Sequence, residues 1–316
     1  MAISAETVRE LREQTGAGMM DCKRALEEAG GEMNKAVAIL RERGLASAAK
    51  KSGRLASEGL VAAYISADRR TGALVEVNCE TDFVAANQEF AGFVKELAAR
   101  IAGEERLATT SLGGPDTIGD IKMANGLAAR EVLTGLVAKI GENMSVRRFA
   151  RFVISEGGGA IESYIHLGGK IGVLIQLGCA REETASNPSF LTLARDLCMQ
   201  IAAARPEYIT RQDVPAEVLE DEKAIYRAQA LNEGKPAQVA EKIVFGRVDK
   251  FFKEVCLLEQ PFVKDNTQSC RQVIEAVASR LGDDIKVVRF ARFERGEGLA
   301  KRATDFAREV QEQIGS

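Results

Sequence analysis

Few residues in this chain are of the types that make or break bonds. There is a single histidine, His166, and six cysteines: Cys22, Cys79, Cys179, Cys198, Cys256 and Cys270. An HExxH zinc helix needs two histidines, and a Ser–His–Asp triad could draw only on His166. No cysteine pair is spaced as CxxC and none lies near His166 in a ligand-like interval, so a zinc site is not expected. Cys79 with His166 is the one nucleophile–base pairing to weigh. Gly16-Ala17-Gly18 half-fits a GxGxxG phosphate loop but follows a helix pattern, not a strand. No GxxxxGK[ST] occurs; Gly157-Gly158-Gly159 reads as a linker and Gly168-Gly169-Lys170 as a hairpin turn. The chemistry left is that of contact.

Composition agrees with that reading. The 316 residues hold 43 Lys plus Arg against 46 Asp plus Glu, a formal net charge of −3, where a dedicated nucleic-acid binder carries a strong basic excess. An RNA-binding, ribosome-associated protein is the alternative class, and it requires paired aromatics on an open sheet face and a basic surface. Scattered single cysteines suit a reducing cytosol. The N-terminus lacks an apolar signal core and no apolar run reaches the ~20 residues of a membrane span, so the expected location is cytoplasmic, away from membranes.

An internal duplication organises the chain. Shifted by 100 residues, Gly59, Tyr64, Ile65, Gly72, Leu74 and Cys79 fall on Gly159, Tyr164, Ile165, Gly172, Leu174 and Cys179. Asn87, Phe90, Leu97 and Ile101 fall on Asn187, Phe190, Leu197 and Ile201. Arg148-Phe149-Ala150-Arg151-Phe152 recurs as Arg289-Phe290-Ala291-Arg292-Phe293, now 141 residues on, so about 41 residues interrupt the second copy after Arg205. The recurrence of Cys79 as Cys179 points to a scaffold role for both. Each copy reads as a strand, a turn (around Gly72 in the first), a second strand, a helix carrying Phe90, Phe93, Val94, Leu97 and Ile101, a later helix and a last strand. The fold class is α+β, with two duplicated units built on antiparallel three-stranded sheets.

Residues 1–55 read as three short helices around a small core, a bundle of the ubiquitin-associated type. The third is expected to stop before Gly44, followed by a basic linker, Arg41–Arg54. Met19 is in phase with Cys22 and Leu26 and reads as core; Met20 reads as exposed, an adaptable docking side chain. Residues 56–155 form the first core unit; 156–206 and 257–295 form the second. Between them, 207–256 is an antiparallel helical hairpin, a coiled coil with Pro215 in a first turn, Asp213 as cap and a largely self-satisfied apolar seam. Residues 296–316 are a C-terminal helical module with Phe306, Val310 and Ile314 in helical phase.

A scaffold should look alike in two copies, and a specialised site should not. Thr81-Asp82-Phe83-Val84 faces Arg181-Glu182-Glu183-Thr184, so an aromatic ring stands in one copy where the other has a carboxylate. Periodicity leaves two readings of Phe83 open: a ring buried under its own helix, or a wedge for a partner.

Leu11 through Leu26 (LREQTGAGMMDCKRAL), Glu76 through Val84 (EVNCETDFV), Lys139-Ile140-Gly141-Glu142-Asn143 and Ser163-Tyr164-Ile165-His166 closely resemble signatures of the bacterial translation elongation factor Ts family, in order along the whole chain. Ala86 stands where that family usually has Lys or Arg. The resemblance implies a nucleotide exchange factor without covalent catalysis, acting on the GTPase elongation factor Tu. It implies that Asp82 and Phe83, with Thr81 and Val84, enter a groove near the nucleotide, supported by Ile140 and Gly141. It implies that Arg12, Met19 and Met20 dock the bundle and that His166 meets another domain of the partner. It implies no cofactor of the chain's own, only the GDP and Mg²⁺ bound by the partner, and no direct nucleic-acid contact. A homodimer or a two-plus-two complex is compatible with it.

Overall fold

The computed structural model describes residues 3–108 and 110–300. Three helices, α1 (Ala5–Thr15), α2 (Met19–Glu28) and α3 (Met33–Lys51), open the chain around Leu11, Cys22, Ala25, Leu26 and Ala36. Ser4 accepts from the Thr7 N–H to begin α1, and Gly16 ends it in the left-handed region, where a residue without Cβ is unstrained. The third helix does not stop before Gly44, and the expected basic linker is mostly its last turns. Gly44 is buried against the later helix Ala129–Ile140, where a Cβ would meet Ala138 and Thr134, and the Leu-Ala-Ser-Ala-Ala-Lys-Lys run beyond it favours helix.

The first copy comprises β1 (Glu58–Ile65), β2 (Thr71–Cys79), α4 (Asp82–Ala85), α5 (Gln88–Gly103), β3 (Thr110–Gly113), α6 (Pro115–Ile118), α7 (Ala129–Ile140) and β4 (Met144–Val153). The second comprises β5 (Gly158–His166), β6 (Ile171–Cys179), α8 (Glu182–Ala185), α9 (Pro188–Ala204), the hairpin α10 (Ala216–Asn232) and α11 (Ala237–Val255), β7 (Pro261–Phe262), β8 (Asp265–Ser269), α12 (Cys270–Leu281) and β9 (Ile285–Glu294). The α+β class holds. The first sheet has four strands instead of three, in the order β1-β2-β4-β3, because the short Thr-Ser-Leu-Gly strand pairs with the outer edge of β4. Four residues with no alternation leave no period to detect. The second sheet has three strands, β5-β6-β9, and β7 with β8 forms a small ribbon.

Strand pairing reproduces the duplication. Gly59 faces Asn78 as Gly159 faces Gly178, and the ladder slips between Glu76 and Val77 as it does between Gln176 and Leu177. The turn of the first hairpin lies before Gly72, which is inside β2; Gly158 and Gly159 are likewise inside β5 and not in a linker. Gly72 and Gly172 serve the packing of the sheets on one another. A Cβ on Gly72 would fall 2.7 Å from Ile161 Cγ2, and one on Gly172 2.4 Å from Val61 Cγ1. Around them Val61, Leu74, Ala150 and Phe152 meet their own counterparts Ile161, Leu174, Ala291 and Phe293. Arg148 lies 4.5 Å over the Phe293 ring and Arg289 4.7 Å over Phe152, so the repeated Arg-Phe-Ala-Arg-Phe segment stitches the two sheets reciprocally. The opposite faces are covered by α5 and α9.

The hairpin differs from expectation in two respects. Pro215 precedes α10, and Asp213 accepts from the Thr210 N–H and hydroxyl, capping the preceding 3₁₀ turn instead of the helix. Ala230, Ala240, Val244 and Phe252 are buried, but Ile225, Leu231 and Val239 are exposed and Phe245 is 80% exposed. Two helices share only one seam, and apolar side chains outside it find no cover. The expected helix with Phe306, Val310 and Ile314 lies outside the described residues.

The sheet-to-sheet contact yields a stability prediction. Gly172→Ala should cost about 1–3 kcal/mol of unfolding free energy by overpacking, whereas Gly53→Ala, in open space, should be near neutral. Equal urea midpoints for the two variants would contradict the close approach.

Candidate functional site

The junction after β2 is built on a pinned turn. The Cys79 thiol donates to the Thr81 carbonyl at 3.1 Å. The Glu142 carboxylate, just past α7, accepts from the Thr81 N–H at 3.0 Å and its hydroxyl at 2.7 Å. The same hydroxyl accepts from the Val84 N–H and caps α4. Glu80 accepts from the Asn143 N–H at 2.6 Å, and the Asn143 side chain donates to the Arg54 carbonyl at 2.7 Å, fastening the end of the bundle to the same place. Val84 and Ala85 are buried in the first core, so Val84 belongs to the mount. Asp82 and Phe83 point outward, and Phe83 is 84% exposed. A ring of this size left uncovered forgoes about 1.5–3 kcal/mol of burial.

The second copy has a related mount and no ring, without the hydroxyl cap of Thr81 and with Ala180 in place of Glu80. Cys179 donates to the Arg181 carbonyl at 3.2 Å, and Asp283 accepts from the Arg181 N–H, as Glu142 does from that of Thr81, and from the Ala180 N–H in addition. Gly141 and Gly282 both end their helices with positive φ, and that turn is what brings Glu142 and Asp283 back to the loop. Glu183 stands where Phe83 does.

The other expected residues fall into three places. Ile140 is half-buried against the first core and Gly141 follows it, so both are contiguous with the pinned turn. Arg12 is exposed on α1. Met20 is 61% exposed as expected, but Met19, expected in the core, is 57% exposed. It occupies the first position of α2, a turn beyond buried Cys22, at the rim of the bundle. All three residues are exposed on the N-terminal bundle, which is held to the first core because α3 packs along α7. His166 ends β5, with Nδ1 2.9 Å from the Tyr164 hydroxyl. The turn after it places Gly169 against Leu60 and Val61 of β1, the end of the sheet at which β2 delivers Cys79. Leu167, beside His166, is 67% exposed with φ of 48°, a conformation that disfavours any residue with a Cβ. Its signal in the sequence is an apolar residue inside a glycine turn that its own hairpin cannot bury.

A family model described as "Elongation factor TS" matches residues 80–297. The chain is 52% identical over 314 residues to "Elongation factor Ts" of Clostridium botulinum (strain Eklund 17B / Type B), covering 99% of each. It is 51% identical over 318 residues to that of Clostridium perfringens (strain SM101 / Type A) and 50% over 312 residues to that of Clostridium kluyveri (strain ATCC 8527 / DSM 555 / NBRC 12016 / NCIMB 10680 / K1), again over 99% of each.

This chain belongs to the elongation factor Ts family.

Its place is therefore in translation elongation. Burial, reinforced by Glu142 and Glu58, pushes the Cys79 thiol up to about 12, so it stays protonated and poorly nucleophilic at neutral pH. Among the described residues no cluster of His, Cys, Asp or Glu could hold a metal ion, and no helix is long and apolar enough to cross a membrane. The sheets of this elongation factor Ts family member are covered on one face by helices and on the other by each other, which leaves neither face open for stacking RNA bases.

The mount itself is testable through its second copy. Hydrogen bonds from the Thr184 side chain and from the Arg181, Asp284 and Ala180 N–H groups bring the Asp283 carboxyl down to about 2 from 3.8. A depressed carboxyl stabilises the fold above its unfolded value and ceases to as pH falls through the folded one. Asp283→Asn should therefore lower the urea midpoint at pH 7, and the gap should close between about pH 4 and 2. A gap independent of pH would contradict the anchoring role.

Proposed function

We propose that the chain promotes GDP release from elongation factor Tu by inserting Asp82 and Phe83 beside the nucleotide and its Mg²⁺. One observation carries the reading: Phe83 is an exposed ring on a turn pinned by Glu142, Asn143 and a buried Val84, and the duplicate, whose turn is anchored at the same place by Asp283, carries Glu183. A wedge must be apolar enough to prefer a partner's pocket and rigid enough to move the partner instead of itself. Mg²⁺ demands near-ideal octahedral geometry, so a small shift of its surroundings weakens it and the phosphates it bridges. Arg12, Met19 and Met20, on a bundle of the ubiquitin-associated type, dock on the nucleotide-binding domain, and His166 with Leu167 meets a second domain. The helical hairpin is a coiled-coil arm.

This is coupling, not covalent catalysis. If the factor lowers the affinity for GDP by some ratio, GDP lowers the affinity for the factor by the same ratio. The reading requires no cofactor, tuned acid or base of the chain's own, and it places the protein in the cytoplasm with its partner.

Release of fluorescent GDP from purified elongation factor Tu tests it. The chain at micromolar concentration should accelerate release, and Phe83→Ala should lose roughly 30-fold or more of that acceleration, the loss typical of an aromatic hot spot. Its unfolding free energy should change by no more than about 0.5 kcal/mol. No acceleration by the wild-type chain would overturn the reading.

A further inference from the structure

The two copies also disagree inside the protein, at a buried carboxylate. Glu76 on β2 is wholly buried, whereas its counterpart on β6 is the neutral Gln176. Arg148 Nε donates to Glu76 Oε2 at 2.6 Å as Arg289 Nε donates to Gln176 Oε1 at 2.7 Å. The first copy then adds Arg147, which donates to Glu76 Oε1 at 3.0 Å; the residue at the corresponding place in the second copy is Val288.

This extra charge pair receives the chain beyond β9. The Gly296 N–H donates to Glu76 Oε1 at 2.8 Å. Arg147 donates to the Glu297 carbonyl, and Arg148 Nη2 lies 3.0 Å from the Glu297 carboxylate. Gly296 has φ of 67° and passes so close to residue 57 that a Cβ would lie 2.2 Å from the Ser57 carbonyl oxygen. Other contacts here are part of the repeated scaffold. The Arg295 N–H donates to the Lys170 carbonyl as the Ile154 N–H donates to that of Arg70, and Arg148 reaches the Glu294 carbonyl as Arg289 reaches that of Val153. Beyond the scaffold, the first copy has Glu76 with Arg147, and Asn78, whose side chain also donates to Glu76 Oε1 at 3.2 Å and whose counterpart is Gly178; Gly296 and Glu297 are the segment they receive.

The clasp lies between the two elements proposed to touch the partner. On one side Arg295 holds Lys170, four residues from His166 and three from Leu167. On the other, Arg295 pairs with Glu58 at 2.6 Å, and Gly296 abuts Ser57, at the end of β1 that pairs with Cys79 just before the pinned turn. We infer that Glu76 is a positioning residue: by binding residues 296–297 it fixes the His166–Leu167 turn and the Phe83 turn relative to one another, so that both meet the partner without further ordering. The positioning part of this inference rests on the exchange-factor reading above; the clasp does not. A surface ordered before binding raises affinity by reducing the freedom lost on association, and it leaves the chemistry of the bound state unchanged.

Glu76→Gln, which makes the first copy like the second, is the test. Amide hydrogen exchange by NMR should show Gly296 exchanging roughly tenfold or more faster, the loss of one charge-assisted bond to a buried acceptor, while Ile154, its neighbour's repeat mate, stays as slow as in the wild type. In GDP release from elongation factor Tu the half-saturating concentration should rise roughly tenfold with the maximal rate within about twofold. The double variant E76Q/R147V, which copies both Gln176 and Val288 and strands no guanidinium, should show the same kinetic loss with a wild-type melting temperature. Unchanged Gly296 exchange would overturn the clasp. Faster exchange with unchanged half-saturation would overturn the positioning role and leave a structural contact. If the wild-type chain releases no GDP, the exchange-factor reading and the positioning role fall together, and the amide measurement still decides the clasp.

Discussion

Everything in this molecule hangs on two glycines that let two sheets touch. Gly72 and Gly172 have no Cβ to hold the sheets apart, so Val61, Leu74 and Phe152 reach Ile161, Leu174 and Phe293. Each partner is the other's repeat, so the contact is isologous within one chain, as in a two-fold dimer. Buried on both faces, β2 and β6 tolerate little motion. The turns that leave their ends are therefore presented from a rigid body, and that rigidity is what an exposed wedge requires.

A duplicated scaffold separates what the fold needs from what function needs. The thiol-to-carbonyl bond after each second strand, the carboxylate clamp from Glu142 or Asp283, and the arginines over the facing rings occur twice. Those features are structural because each copy uses them without the other's function. Phe83 against Glu183, and Glu76 with Arg147 against Gln176 with Val288, occur once. One difference faces solvent and the other is buried beneath the chain that joins the two exposed turns. Both lie toward one end of the first sheet, although nothing in the repeat itself favours that end.

Much of this was legible in the residues. The duplication, the helix pattern from Phe90 to Ile101 and the divergence at Asp82-Phe83 all rest on side-chain identity, which the chain states directly. What was misread rests on context. Gly44 and Gly72 look like stops in isolation, because a missing Cβ serves a turn or a close approach equally well; only the neighbours Ala138 and Ile161 tell which. Met19 has the phase of a core residue but stands at the first position of its helix, where phase no longer implies cover. The strand Thr110–Gly113 is specified by the free edge of β4 and not by its own four residues. Leu167 carries one legible signal, an apolar residue in a glycine turn, but its positive φ is visible only in the backbone.

In the proposed exchange reaction, one exposed ring on a shared turn separates the two copies. Phe83→Glu tests this, since the second copy already carries a glutamate at this place after the corresponding strand. The variant should keep an unfolding free energy within about 0.5 kcal/mol of wild type, as for other surface changes, and leave GDP release from elongation factor Tu at its unassisted rate. Release that persists at the wild-type rate would contradict it.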